Sequence, residues 1–283
     1  MSIANSAMLV ELNISVWGAS KIDRRATDKT TADAHAAADA GQFRKNLMAG
    51  TSLRKEISDY AALCRTWHAG CTLPWSDKGL RLLPTSLFLE YKREMDERQR
   101  RFTDMVQRFL NDYPTLQAQA QTHLGNLYNP DDYPSPDEVA QKFGFRVVFS
   151  PVPQAGDFRV DVSSDMADAL RAQYEDAYQT RVQDAMRTAW DKLHATLRNM
   201  SERLSEADGD ERKVFRGAFL TNVHELVRLL SHLNVTGDPE LERARRGLQQ
   251  AVDGVDIEDI RQDAGIRADL KARVDKVLST YDW

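Results

Sequence analysis

NPDDYPSPDEVAQKFGFRVVFSPVPQAGDFRVDVSSD, residues 129–165, is the stretch on which the reading of the fold turns. Helical pattern runs up to it and resumes after it. Pro130, Pro134 and Pro136 stop the incoming helix, because proline lacks a backbone donor and its ring clashes with the preceding turn. Ser135-Pro136-Asp137-Glu138 then supplies a cap, a proline at the first helical position and acids in the first turn, which predicts one short helix to Lys142. Phe145-Arg146-Val147-Val148-Phe149 reads as a strand. Pro151 to Gly156 reads as a turn, and Phe158, Val160 and Val162 alternate with Arg159 and Asp161 as a second strand. The expectation is a β-hairpin with a wide loop.

The flanks of this insert match each other. Before it, Phe88, Met95, Phe102, Phe109 and Leu116 recur every seven residues, with Met105, Val106, Tyr113, Ala120, Leu124 and Leu127 beside them and Arg98, Arg100 and Arg101 on the opposite face. Pro114 predicts a kink or break near Tyr113. After the insert, Ser164 or Asp165 caps a helix whose stripe runs Leu170, Tyr174, Tyr178, Val182, Ala185, Ala189, Leu193, Leu197, Met200 and Leu204. Segments 86–127 and 165–207 are nearly equal in length. They predict a mainly α protein: a long antiparallel, coiled-coil-like helical hairpin with the small β-hairpin at its tip.

Outward from this hairpin, residues 1–85 read as a strand followed by helices and a connector. Val10, Leu12, Ile14 and Val16 alternate with Leu9, Glu11, Asn13 and Ser15, a half-buried strand. Residues 19–31 are polar and read as a loop, with Lys21, Arg24, Arg25 and Lys29 as a candidate basic binding loop. The alanine-rich 32–49 and the stripe Leu53, Ile57, Tyr60, Ala61, Cys64 and Trp67 read as helices, and 70–86, broken by Pro74, Gly79 and Pro84, as a structured connector. Residues 208–283 carry three further helical patterns: Val214 to Leu233, Leu241 to Val252, and Ile257 to Leu278. They predict a C-terminal helical bundle.

The composition fits such helices. Of 283 residues, 42% are hydrophobic and 29% charged. The balance of 38 basic against 43 acidic residues, net −5, excludes a protein that coats nucleic acid through its whole surface and leaves room for a local patch. No apolar run approaches the ~18 residues of a membrane span, and the N-terminus lacks the basic start of a signal peptide. The two cysteines, Cys64 and Cys71, point to free thiols in a reducing cytoplasm.

No motif commits the chain to catalysis. Cys64, His68 and Cys71 share one helical face and have the chemistry of zinc ligands, with Asp77 the nearest fourth donor. Gly70 argues against that helix reaching Cys71, and two structural cysteines beside a capping histidine is the favoured reading. Gly41 to Ser52 lacks the lysine of a phosphate loop, and His224 and His232 lack zincin spacing. His123 and His194 lie one on each long helix. No Gly-x-Ser-x-Gly elbow is present. The acidic pairs, Asp131-Asp132 among them, stand at helix starts and turns, where they serve as caps. No cofactor is expected. The remaining signal is aromatic: Tyr133, Phe143, Phe145, Phe149 and Phe158, flanked by Arg146 and Arg159, form either the small core of the insert or a partner-binding tip.

The opening strand LVELNISVWGASK (9–21), the connector LPWSDKGLRLLP (73–84) and the helix bearing Phe102, Phe109 and Tyr113-Pro114 together resemble an uncharacterised, domain-of-unknown-function family of tailed phages and other mobile elements. The resemblance covers most of the chain. Members of that family are often encoded near a MoxR/CobS-like AAA+ ATPase. The resemblance implies a phage accessory protein in the host cytoplasm, an adaptor or substrate of such an ATPase, and it supplies no catalytic residues. The leading expectation is therefore a non-enzymatic interaction protein that binds a protein partner or itself. The alternatives are a nucleic-acid-associated replication or packaging factor and an enzyme whose site has no motif.

Overall fold

The heptad residues Met95, Phe102, Phe109 and Leu116 are all buried, and they lie on one helix that runs from Phe88 to Leu124. A computed structural model describes residues 3–76, 79–153, 164–205, 215–281 and 283. The chain is mainly helical with a small antiparallel sheet. Its elements are α1 (Ile3–Ser6), β1 (Ala7–Ser15), β2 (Ser20–Ile22), α2 (Arg24–Asp33), β3 (Arg44–Asn46), α3 (Leu53–Cys71), β4 (Leu73–Pro74), β5 (Leu80–Pro84), α4 (Phe88–Leu124), α5 (Pro136–Ala140) and β6 (Gly144–Ser150). Then follow α6 (Ser164–Ser205), α7 (Ala218–Leu233), α8 (Pro239–Val252), α9 (Ile257–Gln262) and α10 (Ala264–Leu278). The chain divides into two compact units, each assembled from separate segments: the first from Met1–Glu11, Ala69–Tyr91 and Val148–Trp283, the second from Leu12–His68 and Lys92–Val147.

In the first unit β1 pairs antiparallel with β5, Ala7 opposite Pro84 and Glu11 opposite Leu80, and β4 pairs with the other side of β5. The stretch read as a connector is thus a two-strand ribbon. Its strands are short and punctuated by proline and glycine, so no period of two had room to show; Pro84 is tolerated because it ends its strand. Both Leu9 and Val10 are buried, so this half of β1 is covered on both faces and not half-buried as alternation predicts. The helix α6 packs on α10, β4, α7 and α8. Its stripe from Ala185 through Ala189, Leu193, Leu197 and Met200 to Leu204 is buried as expected. Among the described residues the C-terminal segment holds four helices, not three: Asp263 ends α9 and caps α10, its carboxylate accepting from Gly265 N at 2.6 Å.

In the second unit the core gathers Trp17, Leu47, Met48, Ile57, Phe102, Phe109, Tyr113, Leu116 and Val139. Trp17 meets Phe109 and Tyr113 edge-on at 6.2 and 5.8 Å. Each fully buried large side chain contributes about 1.5–3 kcal/mol of transfer free energy. That packing outweighs the one backbone bond lost at Pro114. The helix runs through it unbroken, and the buried Tyr113 donates its hydroxyl to Pro134 O at 3.0 Å. The short helix of the insert forms as expected, with Ser135 and Glu138 in a reciprocal capping box.

Two expectations need correction. The strand at 144–150 takes β1 as a neighbour, in the sheet order β4-β5-β1-β6, so it is joined to the sheet of the N-terminal strands and does not stand alone in the insert. The expected second strand, 158–162, lies outside the described residues. The helix expected over 32–49 forms earlier, at Arg24–Asp33, inside the stretch read as a loop. Asp23 is the reason: its carboxylate accepts from Ala26 N at 3.0 Å, a cap that outweighs the alanine propensity further on.

Candidate functional site

The basic stretch folds into a small module, β2–α2–β3. The strands pair antiparallel with Ser20 opposite Asn46, Lys21 opposite Lys45 and Ile22 opposite Arg44. The hydroxyls of Thr27, Thr30 and Thr31 donate back to carbonyls of the same helix, and Thr27 Oγ1 accepts from Phe43 N at 2.9 Å, which ties α2 to the return strand. Two lysines side by side on a ribbon repel unless an anion lies between them. Asp132 is that anion. It sits in a 3₁₀ turn, Pro130–Asp132, started by Asn129. Its carboxylate reaches Lys45 Nζ at 2.5 Å and Lys21 Nζ at 2.8 Å. Lys45 also donates to Asp23 Oδ2 at 3.0 Å and to Leu127 O at 2.7 Å.

Lys45 side-chain exposure is 5% and that of Asp132 is 6%. Burial works to lower the Lys45 pKa, but the hydrogen bonds and charges of Asp132 and Asp23 outweigh it and hold the ammonium above its ordinary value. Burial likewise works to raise Asp132, and Lys21 and Lys45 together hold it below the usual carboxylate range. Asp23 is held low by the Ala26 amide first and Lys45 second. Lys45, Asp132 and Asp23 therefore stay charged at neutral pH.

This network decides which cations remain available. Of the candidate loop, Lys21 is engaged, whereas Arg24, Arg25 and Lys29 are exposed on α2. They line two adjoining open clefts. One, of about 720 Å³, is bounded by Arg24, Arg25, Lys29, Asn126, Tyr128 and Asn129 over the ionic floor. The other, of about 840 Å³, has Lys21, Arg24 and Arg44 with Asp28 and Asp39. Ile22 and Arg24 line both. Residues Lys45, Arg44 and Asp132 carry no local motif; the site exists because strand register and a turn some 85 residues downstream meet, which a one-dimensional reading does not show.

The aromatic candidates face elsewhere. Tyr133 donates its hydroxyl to Leu47 O at 3.0 Å, Phe143 packs on Phe109 at 5.7 Å and Phe145 on Phe102 at 5.6 Å. All three are packed against the second unit's core. In the first unit Phe149 meets Phe88 at 5.3 Å and Tyr91 at 6.1 Å. These four half-buried rings pack inward, as in the core alternative, although their partners lie on α4 and at Leu47, just after β3, and not within the insert alone. Arg146 is exposed, and Phe158 and Arg159 lie outside the described residues.

The other chemical candidates also find places. The helix α3 continues through Gly70 to Cys71, so glycine does not end it. Cys64 and Cys71 are buried free thiols. Burial pushes both up, Cys71 to about 11, so neither is an activated nucleophile at neutral pH. Asp77 lies outside the described residues, and no group of three or more metal-ligating side chains occurs among the described ones. His123 lies against Gly50, His194 stacks on Trp283 at 4.7 Å, and His232 shares a 2.9 Å hydrogen bond with Ser86. In the first unit Lys192 Nζ donates to Ala69 O and Gly70 O at 3.0 and 2.9 Å, capping the last turn of α3. Burial, with Arg81 nearby, lowers its pKa to about 8.

No described helix is long and apolar enough to cross a membrane. Comparison with known proteins gives no match, whether to family models, curated proteins or solved structures.

Proposed function

We propose that this chain is a non-enzymatic interaction protein, an adaptor for a protein partner or a second copy of itself, in the phage or mobile-element setting its sequence resembles. The observation that supports this reading is the first half of α6. Met166, Leu170, Tyr174, Tyr178 and Val182 recur every four residues there, yet none of the described side chains from 166 to 184 is buried. Tyr174 and Tyr178 keep contacts within their own unit, with Pro153 O and Trp75. Met166, 56% exposed, and the half-buried Leu170 and Val182 leave an apolar stripe on a 42-residue helix. Such a stripe at helical spacing is the usual anchor of helix-mediated docking. The AAA+ ATPase is the partner that the resemblance implies. Coexpression with an ATPase encoded beside it, followed by size-exclusion chromatography with light scattering, tests the reading. A complex or discrete oligomer that is lost in Leu170→Glu/Val182→Glu supports it. A monomer that ignores the ATPase, or a complex indifferent to that pair, sinks it.

A nucleic-acid-associated role is the second reading, favoured by one observation: three cations of the β2–α2–β3 module face solvent while the lysines beside them engage Asp23 and Asp132.

A further inference from the structure

We infer that the cleft between α2 and the 126–129 turn is a binding site for a short single strand of nucleic acid. The inference rests on the second reading above and assigns it a place and a ligand class.

Charge comes first. Arg25 and Lys29 are four residues apart on one face of α2, and Arg24 stands at the edge that the two clefts share. The carboxylates in the first cleft, Asp23 and Asp132, are bound by Lys45 and Lys21, so the floor is close to neutral. The cations on its wall are not cancelled there. In the second cleft Asp28 and Asp39 stand against Lys21, Arg24 and Arg44, so the positive potential is weaker. Cations spread along two joined clefts suit a string of phosphates better than one isolated phosphate.

Shape and chemistry narrow the ligand. Tyr128 lines the first cleft, with one side of its ring toward Tyr133 at 5.4 Å. A partly covered tyrosine beside arginine and lysine is the combination that stacks unpaired bases while tracking their backbone. Asn126 and Asn129 line the same cleft; Asn129 Oδ1 already accepts from Asp131 N at 3.1 Å. Ile22 and Phe43, 38% and 37% exposed, add apolar surface at the end of the ribbon. A duplex hides its base faces and would bring many phosphates up to a chain of net charge −5. A few unpaired nucleotides engage the clefts with less repulsion.

The test is fluorescence anisotropy of the full chain with labelled 12-mers of deoxythymidine and of uridine, at 50 and 200 mM NaCl. Saturable binding that weakens about 20-fold between those salts is expected for some three phosphate contacts. Arg25→Ala/Lys29→Ala, whose side chains make no described contact, should keep the wild-type melting curve and weaken binding about tenfold or more. Tyr128→Ala should weaken it several-fold, with Tyr128→Phe close to wild type. Lys55→Ala/Arg100→Ala, cations outside the clefts, should bind as wild type. Absence of saturable binding at 50 mM NaCl overturns both this site and the nucleic-acid reading. Binding unchanged in Arg25→Ala/Lys29→Ala overturns the site alone. Equal binding of polyglutamate would show a general polyanion patch and overturn the assignment of ligand.

Discussion

Lys45 in the second unit and Lys192 in the first are both drawn into the protein, and their surroundings treat the charge in opposite ways. Lys45 is buried between two carboxylates and a carbonyl. Its ammonium is held above its ordinary pKa. Lys192, half-buried, lies against the Ala69 and Gly70 carbonyls near the end of α3. Its pKa falls to about 8. Burial alone favours the neutral amine in both places; two anions within hydrogen-bond reach reverse that at one of them. The consequence for Lys45 reaches beyond stability. By occupying Asp23 and Asp132 it keeps the two carboxylates of the first cleft from Arg24, Arg25 and Lys29, whereas Lys192 is a cap and leaves nothing free.

The largest expected effect is at that ionic floor. Lys45→Met removes the buried cation of the network, leaves Asp23 without its ammonium and Asp132 with the exposed Lys21 alone, and should cost about 3 kcal/mol, since breaking a buried pair leaves charge poorly compensated. Lys192→Met strands no described carboxylate and should cost about 1 kcal/mol, the loss of its carbonyl hydrogen bonds offset by removal of a costly buried charge. Urea denaturation of both variants at pH 7 measures the difference, and equal costs would break the comparison.

Alkaline pH separates the two lysines further. A lysine whose folded pKa, about 8, lies below its unfolded value near 10.5 binds fewer protons in the folded state across that window. Stability from this group therefore rises with pH between 8 and 10.5. Wild type should gain up to about 3 kcal/mol relative to Lys192→Met over that range. Cys71, pushed up to about 11, titrates in the opposite sense and is held down in part by Lys192, so the comparison is made in a Cys71→Ser background. Lys45, raised, contributes stability below its ordinary pKa that is lost only as pH climbs through its folded value. A wild-type advantage that shrinks between pH 8 and 10 would contradict the assignment.

On the acid side Asp132→Asn should cost about 2 kcal/mol at pH 7, the loss of charge-assisted hydrogen bonds. Because the folded pKa of Asp132 is depressed, that cost is present above the ordinary carboxylate pKa near 4 and disappears as pH falls through the folded value. Unfolding of both proteins between pH 7 and 3 checks this. The smallest effect is on the rim. Arg25→Ala and Lys29→Ala should each change stability by less than about 0.5 kcal/mol, as exposed side chains do. A larger loss would mean that they too serve the fold.

What the sequence disclosed follows the same division. Periodicity reports burial, so the helix bearing Met95, Phe102, Phe109 and Leu116 and the later stripe from Ala185 to Leu204 were legible from spacing alone. Local capping was legible too, in Ser135-Pro136-Asp137-Glu138. Short strands were not: β4 and β5 have two and five residues, too few to display a period. Aromatics in a polar insert read equally well as a core or a tip, and only the positions of Phe102 and Phe109 opposite Phe145 and Phe143 decide for the core. The basic residues of 21–29 were visible as charges. Which of them is neutralised depended on Asp132, which in sequence looks like one more capping acid.

Direct NMR titration of the lysine Nζ groups, assigned through Lys45→Arg and Lys192→Arg, tests the central claim of this charge partition. Lys192 should titrate near pH 8 while Lys45 stays protonated past its ordinary value of 10.5. A Lys45 that titrates at or below the Lys192 midpoint would mean that Asp132 and Asp23 do not hold it, and that the arginines of α2 share their carboxylates.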